Sequence, residues 1–190
     1  MSFIEPPPRI PVLLRLMLSL VERRMGKQLL ANRILAWYPK ALLGSGIMEA
    51  LVAHEEPDAP RRLLGLIRIY TSMLVSCAFC IELNSRHLAD KGVTGQEIRA
   101  LQGTIPWDAV PSLSGAERAA LKYVECICAT PVRFPPQIVA EMKRHHSPRA
   151  IVVIASTCAQ VNFWARLIQS FGVPPAGFSD ACALPGPGGL

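Results

Sequence analysis

The sequence predicts an all-α fold, an oligomeric helical bundle, and three observations carry that expectation. Apolar residues recur at helical spacing through long stretches, above all Arg61 to Gly92 and Pro148 to Gly172. No series of alternating apolar and polar runs divided by hairpin signals occurs; "AIVVIAS" (150–156) has the composition of a buried strand but continues into a helical pattern without punctuation. Of the 190 residues 51% are hydrophobic, and the mean hydropathy is +0.29. That is enough for one domain with a well-buried interior or for an obligate oligomer.

The elements follow in order. Residues 1–10 form an extended arm that ends in "EPPPRI", with Pro11 next, because consecutive prolines do not enter a helix interior. A single helical domain is expected over residues 11–172, starting with helices at about 11–25, 27–36 and 41–54 interrupted by "WYPK" and "GSG". After the loop "EEPDAP", one long central helix is expected from Arg61 to a stop at Gly92. Thr94 with Glu97, and Ser114 with Glu117, have the spacing of capping boxes that open the next two helices. Prolines start "RFPPQIVAEMKRHHS", where Pro at the first helical position is favourable. The last helix ends at Gly172, and residues 173–190 form a Pro/Gly tail that needs a surface to order it.

Charge and targeting signals narrow the function classes. The net charge is +6 and the isoelectric point near 9.2, yet Lys and Arg are spread along the chain rather than gathered in a block, so no nucleic-acid partner is expected. "IPVLLRLMLSLV" (10–21) is shorter than the roughly twenty residues that cross a bilayer, and Arg15 interrupts it. "ERRMGK" follows where a secretory segment would have a small-residue cleavage site, so the expectation is a cytoplasmic protein with no membrane partner. In a reducing compartment the six cysteines (77, 80, 126, 128, 158 and 182) are not a disulfide framework, and a pair at special spacing points to catalysis or metal binding.

That pair is Cys77 and Cys80 in "SCAFCIELNSRHLADKG". On a continuous helix, Met73, Cys77, Cys80, Asn84 and His87 fall within an arc of about 80°. Cysteines at i and i+3 have Cα atoms about 5 Å apart, inside the window for a disulfide. So short a loop restrains little of the unfolded chain, which makes reversible reactivity a better reason for the pair than stability. The bland alternative is two buried, inert thiols. A zinc site would need two more ligands from Cys126, Cys128, His145 and His146, and Cys126-Ile127-Cys128 on a helix has diverging side chains, so no metal is expected. Cys126, Cys128, Cys158 and Cys182 are read as structural or incidental, and Asn162 with Arg166 as a structural pair one turn apart.

The order "SCAFCIELNSRHLADKGVTGQEI", a CxxC with an aromatic before the second Cys followed by a glycine stop and a capped helix, resembles the core of the alkylhydroperoxidase AhpD and carboxymuconolactone decarboxylase superfamily. "VNFWARLIQSFGVPPAGF" is similar to the last helix of that group. The resemblance implies an all-helical homo-oligomer that reduces a hydroperoxide substrate and is restored by a thiol reductant or a redox partner protein, with no metal, flavin or haem cofactor. It implies Cys80 as the peroxidatic residue and Cys77 as the resolving one. Where peroxidase members carry a His one turn after the second Cys and an acid three turns before the first, this chain has Asn84 and Gly65. Asn84 is then a hydrogen-bonding partner for thiol or substrate, and His87 a possible proton relay through water, substrate or a neighbouring subunit. The alternatives on the same scaffold are a decarboxylase-like enzyme, which would use general acid/base residues, and a non-catalytic oligomeric binding module.

Overall fold

The computed structural model describes residues 2–178. Cys182 and the tail beyond Phe178 lie outside the described residues. Nine α-helices occur among the described residues, and the sole bridge is an isolated one between Glu56 and Ala59. Pro11 precedes α1 (Val12–Met25), which Gly26 ends in the left-handed conformation. Next come α2 (Leu30–Leu35) and α3 (Pro39–Ala50). Of the two expected interruptions, "WYPK" does separate α2 from α3, with Pro39 opening α3, but "GSG" does not break the chain: Gly44-Ser45-Gly46 lie within α3. Glycine weakens a helix by about 1 kcal/mol per residue without forbidding helical dihedrals, and Ser45 returns its hydroxyl to the Leu42 carbonyl at 3.1 Å.

The largest correction concerns the central element. The expected helix from Arg61 to Gly92 is three pieces: α4 (Arg61–Leu74), α5 (Ala78–Ser85) and a short 3₁₀ turn at Ala89–Lys91. Ser76, at φ 51°, and His87, at φ 57°, occupy the left-handed region on either side of α5. Apolar periodicity continues across both breaks because each side of a break is buried, and periodicity alone does not register a corner.

After these come α6 (Gly95–Leu101), α7 (Gly115–Cys128), α8 (Pro136–His145) and α9 (Pro148–Ser170). Both expected capping boxes form, Thr94 with Glu97 and Ser114 with Glu117. The centre is α4, whose Leu63, Leu64, Leu66, Ile67 and Ile69 are buried in the main apolar core with Leu121 and Val124 of α7 and Ile154 and Cys158 of α9. The 23-residue α9 is apolar and long enough to cross a membrane by composition, but Ala150, Ile154, Thr157, Cys158, Val161, Ala165 and Ile168 along it are buried within the protein.

The arm and the start of the tail both dock. Phe3 N–H donates to the Phe171 carbonyl at 2.8 Å, and the Trp37 indole donates to the Glu5 carbonyl at 2.9 Å. Gly172 is required at that junction: its φ is +62°, and a Cβ there would stand 2.7 Å from the Phe3 ring. Glu82 of α5 is 8% exposed and accepts the Ala176 N–H at 2.7 Å.

Candidate functional site

Cys77 is the N-cap of α5, and the Cys80 N–H donates to the Cys77 sulfur at 3.2 Å. The turn through Ser76 produces this arrangement, and it is held by the Cys77 N–H donating to the Ser72 carbonyl at 3.1 Å. Both cysteines therefore sit in the first turn of a separate helix, where the partial positive charge of the peptide dipoles favours negative charge on sulfur. Their Cα atoms are 5.2 Å apart and the sulfurs are paired as a disulfide. At 1% and 4% exposure, neither cysteine reaches bulk solvent directly.

Access comes instead through a cavity of about 170 Å³. Cys80 lines it and Cys77 does not. The walls are largely apolar, among them Met25, Leu29, Phe79, Leu83 and Trp164, drawn from α1, the α2 entry, α5 and α9. Five polar side chains reach it: Asn32, Glu49, Arg68, Asn84 and Gln160. Asn84 is thus brought to the same cavity as Cys80, and its amide donates to the Ser72 hydroxyl at 3.0 Å. Glu49 of α3, the one carboxylate in this lining, accepts from Gln160 at 2.9 Å and from the Trp164 indole at 3.1 Å.

Arg68 also borders a second cavity of about 290 Å³, shared with His54, Glu55, Arg61, Gly65 and Lys91. Burial, opposed by the Glu49 charge, pulls the Arg68 pKa below its ordinary value, and its buried Nε has no partner. Gly65 does not face Cys80: a Cβ there would meet Lys91 Cδ at 3.0 Å, so the lysine stem fills the place where an acid is expected from the resemblance. His87 is likewise not brought to the cavity. The chain turns at Arg86, and the His87 imidazole is exposed, with Nδ1 3.0 Å from Asp90. The stripe expected on one helix is therefore divided, with Cys80 and Asn84 at the cavity and His87 outside it.

Sequence reasoning missed Glu49, and that Arg68 reaches the same cavity, because nothing in their local pattern says that α3 and α4 line the cavity onto which Cys80 of α5 opens. It also separated two thiols that the fold joins. Cys128 Sγ and Cys158 Sγ are 3.8 Å apart, and Asn162, read as structural, donates toward both, at 3.4 Å to Cys128 and 3.6 Å to Cys158. Among the described residues no cluster of three or more His, Cys, Asp or Glu has the arrangement of a metal site.

The family model described as the carboxymuconolactone decarboxylase family matches residues 45–125, which run from α3 through α7 and include Cys77 and Cys80. The chain is 30% identical over 108 residues to the uncharacterized protein YdfG of Bacillus subtilis (strain 168), covering 56% of this chain and 71% of that protein. Among solved structures, a cysteine-to-alanine variant of the debrominase Bmp8 in complex with 2,3,4-tribromopyrrole is similar with a TM-score of 0.75 at 17% identity, over 96% of this chain and 94% of that one. An alkylhydroperoxidase AhpD core protein of Ralstonia eutropha JMP134, described as an uncharacterized peroxidase-related protein, has a TM-score of 0.74 at 14% identity over 96% and 97%. At these identities the likeness is one of fold.

Proposed function

Because the chain belongs to the carboxymuconolactone decarboxylase family, we propose that it is an AhpD-like oxidoreductase that reduces hydroperoxides through Cys80 and Cys77. One observation carries this reading: of two cysteines within disulfide reach at the start of α5, Cys80 alone opens onto the apolar cavity. A substrate in that cavity meets Cys80 first. The Cys80 thiolate attacks the terminal peroxide oxygen, the O–O bond breaks, and the alcohol leaves with a proton. Cys77 then displaces water from the Cys80 sulfenic acid to form the disulfide, so the two thiols together supply two electrons. A thiol reductant or redox partner protein reopens the pair. Glu49 is the proton acceptor in this reading, taking the place of the histidine that Asn84 replaces, while Asn84 hydrogen-bonds the thiol or the substrate oxygen.

A second reading uses the same two electrons on another substrate. The cavity lining is mainly apolar and aromatic, and the fold is shared with a debrominase, which favours reductive removal of halogen from a small aromatic ligand. Attack of Cys80 on the halogen would release the reduced ring after protonation, and Cys77 would then expel halide to give the same disulfide. A non-catalytic binding module remains the third reading of the scaffold.

Titration of the reduced protein with an alkyl hydroperoxide separates them. In wild type a Cys77–Cys80 disulfide is expected within seconds, and in Cys77→Ser a sulfenic acid trapped on Cys80. Disulfide formation with a bromopyrrole but not with peroxide selects the second reading. Thiols that survive both reagents and resist alkylation in the native state leave the binding module.

A further inference from the structure

We propose that Cys128 and Cys158 form a second oxidisable dithiol, separate from Cys77 and Cys80, whose disulfide staples the end of α7 to the middle of α9. Their sulfurs are 3.8 Å apart, so a bond of about 2.05 Å needs a closure of only about 1.8 Å. Cys128 is the last residue of α7, and the chain leaves the helix at Ala129 in extended conformation, so the closure falls at a helix end rather than in a helix interior.

The surroundings of the two sulfurs are those of a thiolate site rather than of ordinary core. The Asn162 amide donates toward both, and the Thr71 hydroxyl donates to Cys158 Sγ at 3.4 Å. The two thiols are not equivalent. The hydrogen bond from Cys158, aided by Asn162 and the Arg166 charge and opposed by burial, draws the Cys128 pKa down; the same contact and burial push Cys158 up. Cys128 is half-buried and Cys158 fully buried, so the residue with the lowered pKa is also the more exposed of the two. Neighbouring Cys126 makes no such contact, and burial with the Glu125 charge raises its pKa.

The oxidant is an organic hydroperoxide. Cys128 thiolate takes the terminal oxygen and becomes a sulfenic acid, the alcohol leaving with a proton; the Cys158 thiol then displaces water, and the disulfide forms with loss of two electrons from the thiol pair. A small-molecule dithiol reverses it. The proposal does not depend on chemistry at Cys77 and Cys80: Thr71 touches this pair while adjacent Ser72 carries the contacts to Asn84 and Cys77.

The test uses the full chain carrying Cys77→Ser and Cys80→Ser, with wild type mapped in parallel. Reduced protein is exposed to cumene hydroperoxide, quenched with N-ethylmaleimide and digested with trypsin without reduction. The expected product links residues 123–133 to residues 150–166, with fragmentation assigning Cys128 rather than Cys126, and N-ethylmaleimide labels the reduced Cys128 about tenfold or more faster than Cys126 at neutral pH. Oxidation is expected to raise the thermal midpoint by several degrees, and Cys128→Ser, at the helix end, to abolish both link and rise. The proposal is overturned if Cys128 and Cys158 both stay alkylatable in unfolded, quenched protein after excess peroxide. A link through Cys126 or Cys182, or a thermal rise that persists in Cys128→Ser, overturns it equally.

Discussion

Cys80 and Cys77 are three residues apart and chemically alike, yet the fold gives them different surroundings: one borders the cavity, the other caps a helix behind it. The same inequality governs the proton. An amide at position 84 does not accept a proton at neutral pH, so the proposed relay passes to Glu49. Glu49→Gln is expected to lower the rate of peroxide-driven disulfide formation by about a hundredfold with little change in thermal midpoint, because the side chain is exposed and Gln preserves its contacts to Gln160 and Trp164. Stopped-flow thiol oxidation of both proteins checks this; an unchanged rate removes Glu49 from the mechanism. Asn84→His is a complementary probe. It restores a base beside Cys80, and a gain beyond about tenfold would mark the native cavity as specialised for a substrate other than a hydroperoxide.

At the scale of elements, the two capping boxes are joined by one residue. Arg62, in the first turn of α4, pairs with both Glu97 and Glu117, the acids that cap α6 and α7. Burial by itself would raise the Glu97 pKa, but hydrogen bonds from Arg62, Ser112 and the Thr94 N–H, together with the Arg62 charge, outweigh it and hold the carboxyl at about 2, below its ordinary 4.5. A carboxyl depressed in the folded state stabilises fully above the unfolded value and loses that contribution as pH falls toward the folded one. Between about pH 4.5 and about pH 2 the protein is therefore expected to lose on the order of 2 kcal/mol through Glu97, discounted from the full shift because Arg62 keeps contact with solvent. Urea midpoints followed across that range check it. The Glu97→Gln protein is expected to be weaker at neutral pH and to show a flatter acid limb, and parallel acid limbs would refute the assignment. The helix starts themselves were legible in the sequence, since a capping box is a four-residue pattern. The break between α4 and α5 was not, because a left-handed Ser76 carries no residue-type signal such as Gly or Asn would.

For the whole molecule, α1 presents two apolar faces. Leu14 and Leu18 are buried inward, whereas Leu13, Leu16 and Leu20 are 71%, 62% and 70% exposed, and Ile47 and Leu51 of the α3 region add to the uncovered apolar surface. A single chain gains nothing from such a surface, and we propose that a second copy covers it, as the homo-oligomer expected from composition would require. Leu13→Glu with Leu20→Glu is expected to shift the protein to monomer by light scattering while leaving its helical spectrum intact, and a monomeric wild type would exclude this assembly. By itself the sequence determined the all-helical class, the caps, the family and the cysteine pair, because each is written in short-range spacing that local backbone geometry turns into structure. Tertiary structure alone decided that Glu49 and Arg68 border the Cys80 cavity, that His87 lies outside it and that Cys128 meets Cys158. Those relations arise where helices distant in the chain pack together, and no local pattern records which side chains a crossing brings face to face.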